Sequence, residues 1–390
     1  ERAETYLERA RLAHGQQELP AALTYILGRV YFEQGRLDES VEAFSTTIEI
    51  SDAETPGAIT QGALLGRGTA NYSRKDLESA VVDLERLLAL SPAANLKDQA
   101  HRLLGQCYMQ MGRREEAIED YREIIAASQS PRERAEFTLL LAELHYSLGK
   151  YEETIETCQS LLTAEFEDSA GERGYLLKER AYFVIGDVYT RTDRPQAARD
   201  TFARALRQFP RGALRADLLF GRAVATFSLG QNEEVIGLLE SFVEEFNANS
   251  NLENAHYFLA YANLQETNFS EAADWFGRLA ARWPDSEVAA EALFQRGENL
   301  FNLGRFDDAA VAYTSVLADY SASEFVDNSS YNLGWCHFEG ERPEAAILQF
   351  QELLRDYPES PLAASVQFTL GDHYFNNKDY EQAETAYGSV

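Results

Sequence analysis

The chain repeats itself at a nearly constant interval, and this periodicity restricts its possible folds more than any other feature. Small residues recur at the centre of apolar helical patterns: Gly28, Gly68, Gly105, Ala142, Gly186, Ala223, Ala260, Gly297, Gly334 and Gly371. Seven of the nine intervals are 37 residues, whereas the interval after Gly28 is 40 and the interval after Ala142 is 44. A period of about 20–50 residues is typical of a solenoid, in which each repeat covers the apolar face of its neighbour.

Each repeat has the same arrangement around this residue, whose position we call the small slot. A second small residue stands twelve positions after it, at Ala80, Ala117, Ala198, Ala272, Ala309, Ala346 and Ala383. A bulky residue stands sixteen positions after it, at Leu84, Tyr121, Phe202, Phe276, Tyr313, Phe350 and Tyr387. Two antiparallel helices approach closely only where one has a small side chain and the other fills the adjoining groove. The spacing therefore predicts a pair of antiparallel helices in each repeat.

Local signals predict where these helices begin and end. Glycine stands seven positions after the small slot in five repeats, at Gly35, Gly112, Gly149, Gly230 and Gly304. Glycine tolerates a positive φ, so these positions are predicted to end the first helix of the pair. Ser130-Pro131 and Ser360-Pro361 each predict an N-cap serine followed by proline at the first helical position.

Proline closes several second helices, at Pro92, Pro210, Pro284 and Pro358. The small, bulky and proline positions stay in register and resemble the tetratricopeptide repeat (TPR) family along essentially the full chain. The resemblance implies an all-α, right-handed α-α superhelical solenoid of about ten 37-residue helix pairs that binds proteins. Tyr-Pro-Glu-Ser-Pro at 357–361 and Trp-Pro-Asp-Ser at 283–286 look like bacterial cell-envelope members. Those members include the lipoprotein of the outer-membrane protein assembly machinery and the coordinator of the Tol-Pal system. A periplasmic or outer-membrane-associated location is therefore expected, with a cytoplasmic scaffold as the alternative.

The longer interval after Ala142 divides the chain into two predicted blocks. Residues 1–15 are expected to be the second helix of a truncated repeat, and residues 16–162 an N-terminal TPR block. Residues 163–178 hold the additional polar and glycine-bearing sequence and are predicted to form an irregular joint, either a flexible hinge or a longer loop. Residues 179–390 are expected to form a C-terminal TPR block whose last repeat is truncated.

Charge argues against two classes of partner. The chain has 64 acidic and 35 basic residues and a formal net charge of −29. Such a chain repels phosphate backbones and anionic lipid, so nucleic acid is not expected as a partner. No stretch approaches the roughly 18 consecutive apolar residues of a membrane-spanning helix, so direct membrane insertion of this segment is not expected either.

The sequence contains no pattern that predicts catalysis. A phosphate-binding loop, an HExxH helix, a Gly-x-Ser-x-Gly turn and paired zinc cysteines are all absent. Cys107, Cys158 and Cys336 lie far apart within predicted helices and are expected to be core residues. The chain is thus predicted to be neither an enzyme nor a holder of a metal or cofactor. An alternative is that it forms the substrate-recruiting arm of a larger enzyme or polysaccharide-export protein.

Three positions of the first helix are predicted to share one face, at three before, one after and four after the small slot. By the family resemblance, this face lines the concave groove of the superhelix. The position just after the small slot is mostly polar but becomes a large aromatic at Tyr261 and Trp335. The predicted partner-binding residues are Tyr257, Tyr261, Phe294, Gln295, Tyr331, Asn332 and Trp335. The rings are predicted to form an apolar strip, and the two amides to hydrogen-bond the backbone of a bound peptide. The alternative is that the rings pack between adjacent first helices.

These predictions together indicate a non-catalytic adaptor. We expect it to bind a peptide or partner helix in its groove, within a bacterial envelope assembly or trafficking complex. The family's carboxylate clamp, a set of Lys, Asn and Arg residues that grips a C-terminal carboxylate, is not visible in the sequence.

Overall fold

A computed structural model describes residues 20–52, 57–164 and 172–390, which form 20 helices without a strand. In chain order the helices are α1 Ala21–Glu33, α2 Leu37–Asp52, α3 Ala58–Ser73, α4 Leu77–Ala89, α5 Ala94–Gln110, α6 Arg114–Ala127, α7 Pro131–Ser147, α8 Tyr151–Thr163, α9 Glu172–Arg191, α10 Pro195–Gln208, α11 Arg215–Ser228, α12 Asn232–Glu245, α13 Leu252–Gln265, α14 Phe269–Arg282, α15 Ala289–Asn302, α16 Phe306–Asp319, α17 Val326–Glu339, α18 Pro343–Asp356, α19 Ala363–Asn376 and α20 Tyr380–Gly388. Odd-numbered helices carry the small slot and are the first helices of the pairs. The predicted all-α solenoid of about ten helix pairs is confirmed.

The helices pack into two compact units, the first ending at Val184 and the second beginning at Ile185, within α9. The predicted irregular joint 163–178 is too long, because α8 continues to Thr163 and α9 begins at Glu172. Residues 172–178 contain no proline and are mostly good helix formers, so they form the beginning of α9 instead of a loop before it. Residues 165–171 and the predicted truncated helix 1–15 lie outside the described residues.

The core of each repeat depends on contact between the small slot and the bulky residue sixteen positions later. Six small slots are glycines opposite an aromatic ring: Gly28, Gly105, Gly186, Gly297, Gly334 and Gly371. A Cβ atom added at any of these six would lie only 2.2–2.7 Å from the nearest atom of that side chain. Where the bulky position holds Cys158 or Leu239, the small slot of the same repeat holds alanine. There are two exceptions, because Ala260 lies opposite Phe276 and Gly68 lies opposite Leu84. Glycine is therefore present mainly where a ring occupies the volume of its missing side chain.

The turn between the two helices of a pair uses one left-handed residue. The five predicted turn glycines have φ between 69° and 74°, which confirms their role. The same position in the other repeats holds Lys75, Asp193, Thr267, Glu341 and Lys378, with φ between 53° and 67°. A non-glycine residue in this region costs about 1–2 kcal/mol. Packing of the two helices therefore determines the turn conformation, whatever residue the sequence supplies.

The two predicted N-cap serines have different roles. Ser130 is a cap, since its side chain accepts a hydrogen bond from the Glu133 N–H at 3.3 Å and Pro131 opens α7. Ser360 is not a cap, because the chain first makes a turn and α19 begins only at Ala363. Its hydroxyl instead donates to Asp327, 2.7 Å away and one repeat earlier. The loop at 357–361 therefore forms a hydrogen bond to the preceding repeat.

Gly334→Ala tests the contact between glycine and ring. We expect this change to lower the free energy of unfolding by about 1–3 kcal/mol, because its Cβ would lie 2.3 Å from the Phe350 ring. Phe350→Leu should relieve the clash, so that the double variant is more stable than the two single effects predict. Urea denaturation of the four proteins gives the coupling energy.

Gly237→Ala is the matched control, since no atom lies within 4 Å of its added Cβ and α12 is otherwise unbroken. It should leave stability unchanged or raise it by up to about 1 kcal/mol. If Gly334→Ala is equally harmless, the proposed contact does not limit helix approach.

Candidate partner-binding site

The seven predicted binding residues lie on three first helices of unit 2. Tyr257 and Tyr261 are on α13, Phe294 and Gln295 on α15, and Tyr331, Asn332 and Trp335 on α17. All seven are partly exposed. We call the surface that these three helices form with the residues around the small slots the first-helix face of unit 2.

The α13 part of this face is a pair of tyrosines bound to a carboxylate of α15. The rings of Tyr257 and Tyr261 have centroids 4.7 Å apart, and the Tyr261 ring meets Phe276 edge-on at 5.1 Å. Both hydroxyls donate to Glu291, with the Tyr257 oxygen 3.5 Å from Oε1. Burial and the neighbouring Glu291 raise the pKa of Tyr261 well above its ordinary value, so its phenol stays protonated.

The α17 part is a pair of rings packed on the core. Tyr331 and Trp335 have centroids 6.1 Å apart, and both contact Phe350, at 6.0 Å and 5.8 Å respectively. Trp335 also contacts Phe338, whose side chain is 36% exposed. This end of the face therefore combines buried aromatic support with exposed aromatic surface.

Asn332 is less free to bind a peptide than predicted. Its Nδ2 donates to Glu298 of α15 and lies 3.4 Å from the Tyr313 hydroxyl. The Tyr313 hydroxyl donates to the same Glu298 carboxylate at 2.5 Å. The amide nitrogen is therefore engaged within the protein, and its carbonyl oxygen remains the group available to accept from a ligand.

Phe294 and Gln295 occupy the centre of α15 but face different surroundings. The Phe294 ring stacks on Phe325 at 5.3 Å and lies 5.9 Å from Tyr313, as expected for packing between repeats. Gln295 lies one helical turn from Glu291 and from Glu298. The predicted apolar strip is thus two aromatic clusters separated by a polar helix face.

Glu291 and Glu298 are central to this site but were not among the predicted binding residues. They are seven residues apart on α15 and therefore share its exposed side. Glu298 directly follows the small slot Gly297, and this position could have identified it as a residue of the face. The same position in the flanking repeats holds Tyr261 and Trp335, so aromatic and acidic residues alternate along the face. Asp372 on α19 continues the alternation.

The residue in the bulky position explains this alternation. Tyr313 and Tyr387 donate their hydroxyls to the carboxylates that follow the small slot of the same repeat, Glu298 and Asp372, each at 2.5 Å. Phe276 and Phe350 have no hydroxyl, and there the position is filled by the rings of Tyr261 and Trp335. From α13 to α19, tyrosine in the bulky position therefore stands with a carboxylate after the small slot, and phenylalanine stands with an aromatic ring.

The side of α13 opposite Tyr257 is fixed by a buried histidine. His256 lies between the rings of Trp275 and Trp283, with centroids 5.2 Å and 5.1 Å away. Its Nδ1–H donates to the Leu252 carbonyl at 2.8 Å. Burial lowers the pKa of His256, so the neutral imidazole is the form that packs here.

Unit 1 contains two cavities that the sequence did not indicate. One, of about 290 Å³, lies on its first helices beside Tyr25, Phe32 and the glycines Gly62 and Gly66. The other, of about 400 Å³, surrounds a bidentate pair in which Arg67 donates to the buried Asp83 at 2.6 Å and 2.9 Å.

The three cysteines are buried structural residues. Burial raises the pKa of Cys107 to about 11 and those of Cys158 and Cys336 to about 12, so their thiols remain protonated. No group of His, Cys, Asp and Glu residues suited to a metal ion occurs within the described ranges. No helix in the described part of the chain has the length and hydropathy of a transmembrane segment.

A family model and several solved structures are similar to this chain. The tetratricopeptide repeat model matches residues 1–58, 102–170, 183–250, 294–361 and 341–390, which is more than half of the sequence. No functionally curated protein shows significant sequence similarity.

Three solved structures illustrate the likeness. The C-terminal part of a TPR repeat-containing protein from Cytophaga hutchinsonii is 15% identical with a TM-score of 0.52, over 69% of this chain and 99% of that one. A tetratricopeptide repeat protein from Parabacteroides merdae is 16% identical with a TM-score of 0.42, over 71% and 98%. MamA is 20% identical with a TM-score of 0.39, over 45% and 90%. At these identities the similarity concerns the fold alone.

His256 predicts a specific dependence of stability on pH. Its pKa in the folded state lies below the ordinary 6.5, so the unfolded chain binds the proton first as pH falls. The contribution of His256 to the free energy of unfolding is therefore present above about pH 6.5 and decreases below it. His256→Gln keeps a donor for the Leu252 carbonyl but does not titrate, so its stability should fall less between about pH 7.5 and 5.5. The free energy of unfolding of both proteins is measured by urea titration at each pH. An equal decrease in the two proteins would show that His256 is not buried in its neutral form.

Proposed function

The chain belongs to the tetratricopeptide repeat family, and on that premise we propose that it is a non-catalytic scaffold whose first-helix face in unit 2 holds a peptide or helix of a partner protein. TPR proteins are generally protein-interaction scaffolds, and the first-helix face of unit 2 is the surface that we propose for this role. The observation that carries the proposal is the pair of aromatic clusters on α13 and α17, separated by the polar side of α15.

The packing scheme supports a role for these rings beyond the fold. The contact between small slot and bulky residue forms the core of the repeat whether the following residue is aromatic or polar. Tyr261 and Trp335 occupy a position that holds Arg29, Gln106 or Glu143 in other repeats. Tyrosine and tryptophan supply much of the binding energy in protein interfaces, because they bury large areas with few rotatable bonds.

The chemistry of the reactive side chains favours a scaffold over an enzyme. The thiols described above are buried and protonated, and burial lowers the pKa values of His145 and His337 as it does for His256. These histidines lie in different repeats. The carboxylates of the first-helix face are held by phenol and amide groups, an arrangement suited to recognition.

We also propose that the scaffold works in the bacterial cell envelope, in an assembly or trafficking complex at the periplasmic or outer-membrane side. Support comes from the 37-residue repeat and the loop phrases at 283–286 and 357–361. Fractionation of the native host carrying an epitope-tagged chromosomal copy measures the location. Recovery with the periplasm or outer membrane supports the proposal, and recovery with cytosolic proteins contradicts it.

The double change Tyr261→Ala plus Trp335→Ala tests the proposed face. Loss of two aromatic anchors should weaken binding of a partner by about 2 kcal/mol or more, which is roughly 30-fold. Pull-down from the native host with the full-length protein, followed by titration of the captured partner, gives the measurement.

Val311→Ala plus Leu348→Ala is the matched control. These side chains are 63% and 62% exposed on the second helices α16 and α18, so the control also removes apolar surface outside the face. The proposal predicts that the control keeps the partner. Equal loss in both variants, or equal retention, would place binding elsewhere on the molecule.

A further inference from the structure

The two carboxylates of α15, Glu291 and Glu298, are hydrogen-bonded but not neutralised. Every donor described above for them is an uncharged phenol or amide. Within the described ranges, neither carboxylate takes part in an ion pair. Arg296, the basic residue of the same helix, lies instead against Gly277 of α14. Two negative charges therefore remain on the exposed side of α15.

The same two positions are neutralised elsewhere in the chain. Glu291 stands six before its small slot and Glu298 one after it, and the repeat of Ala142 has Glu136 and Glu143 at these positions. Glu136 pairs with Arg102 at 2.5 Å and with Arg132 at 3.1 Å. Glu143 pairs with Arg180 at 3.0 Å.

The fold accommodates a cation at both positions in unit 1, so the geometry of the repeat does not explain its absence in unit 2. A carboxylate without an opposite charge attracts a positive group of a partner, and such complementary charges determine which partner is accepted and how fast it associates. The missing cations are therefore groups that a partner can supply.

The aromatic residues beside these carboxylates fit the same kind of group. Glu291 accepts from Tyr261, and Glu298 accepts from Asn332, one helical turn before Trp335. A guanidinium group binds a carboxylate through two donors and also stacks on an aromatic face. The chain itself shows this stacking, with Arg278 4.5 Å from the Trp275 centroid and Arg282 5.0 Å from that of Trp283.

The next first helix continues the pattern. On α19, Phe368 and Phe375 are each 55% exposed and flank Asp372, which accepts only the Tyr387 hydroxyl among its described hydrogen bonds. The face therefore offers apolar rings between unpaired carboxylates. An amphipathic ligand with basic and apolar residues complements such a surface better than a uniformly charged one.

We infer that the partner segment bound by the first-helix face of unit 2 is a basic peptide, in which Arg or Lys residues contact Glu291 and Glu298 and apolar residues between them contact the rings. Seven residues of α-helix separate the two carboxylates by about 10 Å, which corresponds to about three residues of an extended peptide. The inference rests on the proposed function and adds the chemistry of the partner.

Selection from a library of displayed random 12-residue peptides tests this inference without a known partner. The library is panned in parallel on the full-length protein, on Tyr261→Ala plus Trp335→Ala, and on Glu291→Gln plus Glu298→Gln. Glutamine keeps an acceptor for the tyrosine and asparagine donors, so this last variant removes charge with little change in shape. Glu271→Gln plus Asp274→Asn on the exposed side of α14 removes the same charge outside the face and is the control.

We expect the wild-type protein and the control to select peptides enriched in Arg or Lys with apolar residues between them. One selected peptide is then synthesised with Arg or, at the same positions, with citrulline, its uncharged analogue. The citrulline peptide should bind at least about tenfold more weakly, and Glu291→Gln plus Glu298→Gln should reduce affinity for the Arg peptide by a similar factor. Affinity for the Arg peptide should also fall between about 50 and 300 mM salt.

The other outcomes separate this inference from the proposed function. Peptides that need Tyr261 and Trp335 but carry no excess of basic residues would overturn the basic partner and keep the scaffold. Basic peptides with equal affinity for the wild type and the glutamine variant would do the same. The absence of any peptide that depends on Tyr261 and Trp335 would overturn both. The citrulline comparison uses the unaltered protein, so it stands even if a variant fails to fold.

Discussion

The structure depends on the contact between a glycine backbone and the aromatic ring that lies sixteen residues later in the same repeat. This contact allows the two helices of a pair to approach more closely than a Cβ atom would permit. Because the small slot recurs at a 37-residue interval throughout unit 2, it also sets the register in which successive first helices present their side chains. The positions three before and one after the small slot then appear on one face in every repeat of a unit, and this register creates the candidate site.

On α15 and α17, the ring that fills the glycine position also contacts the exposed residue beside it. Tyr313 packs against Gly297 and directs its hydroxyl to Glu298, the residue that follows the glycine. Phe350 packs against Gly334 and supports the Trp335 ring. Between α15 and α17, a change in the core from tyrosine to phenylalanine is thus accompanied by a change on the surface from acid to aromatic. The alternation of acidic and aromatic residues that we propose for partner recognition therefore depends on contacts with the core.

Much of this arrangement could be predicted because it is periodic. The helix pairs, the turn glycines and the location of seven residues on three first helices all follow from spacing. Features that depend on one contact could not be predicted in this way. Ser360 has the sequence of an N-cap, but a turn precedes the helix and its hydroxyl binds Asp327 in the previous repeat. Asn332 has the composition of a peptide-binding residue, but its nitrogen is used by Glu298. The sequence also does not show that the hydrogen-bond donors to Glu291 and Glu298 are neutral phenols and an amide, which leave both carboxylates charged.

Site-specific photo-crosslinking in the native host reports where a partner binds without removing any of the proposed anchor residues. A photoreactive amino acid is placed at Gln295, at the centre of the first-helix face, or at Leu348 on the exposed side of α18. The account predicts a discrete crosslinked protein from position 295, with the crosslink mapping to a basic segment of that protein, and no such product from position 348. A product from position 348 alone would contradict it, because the partner would then bind the second helices.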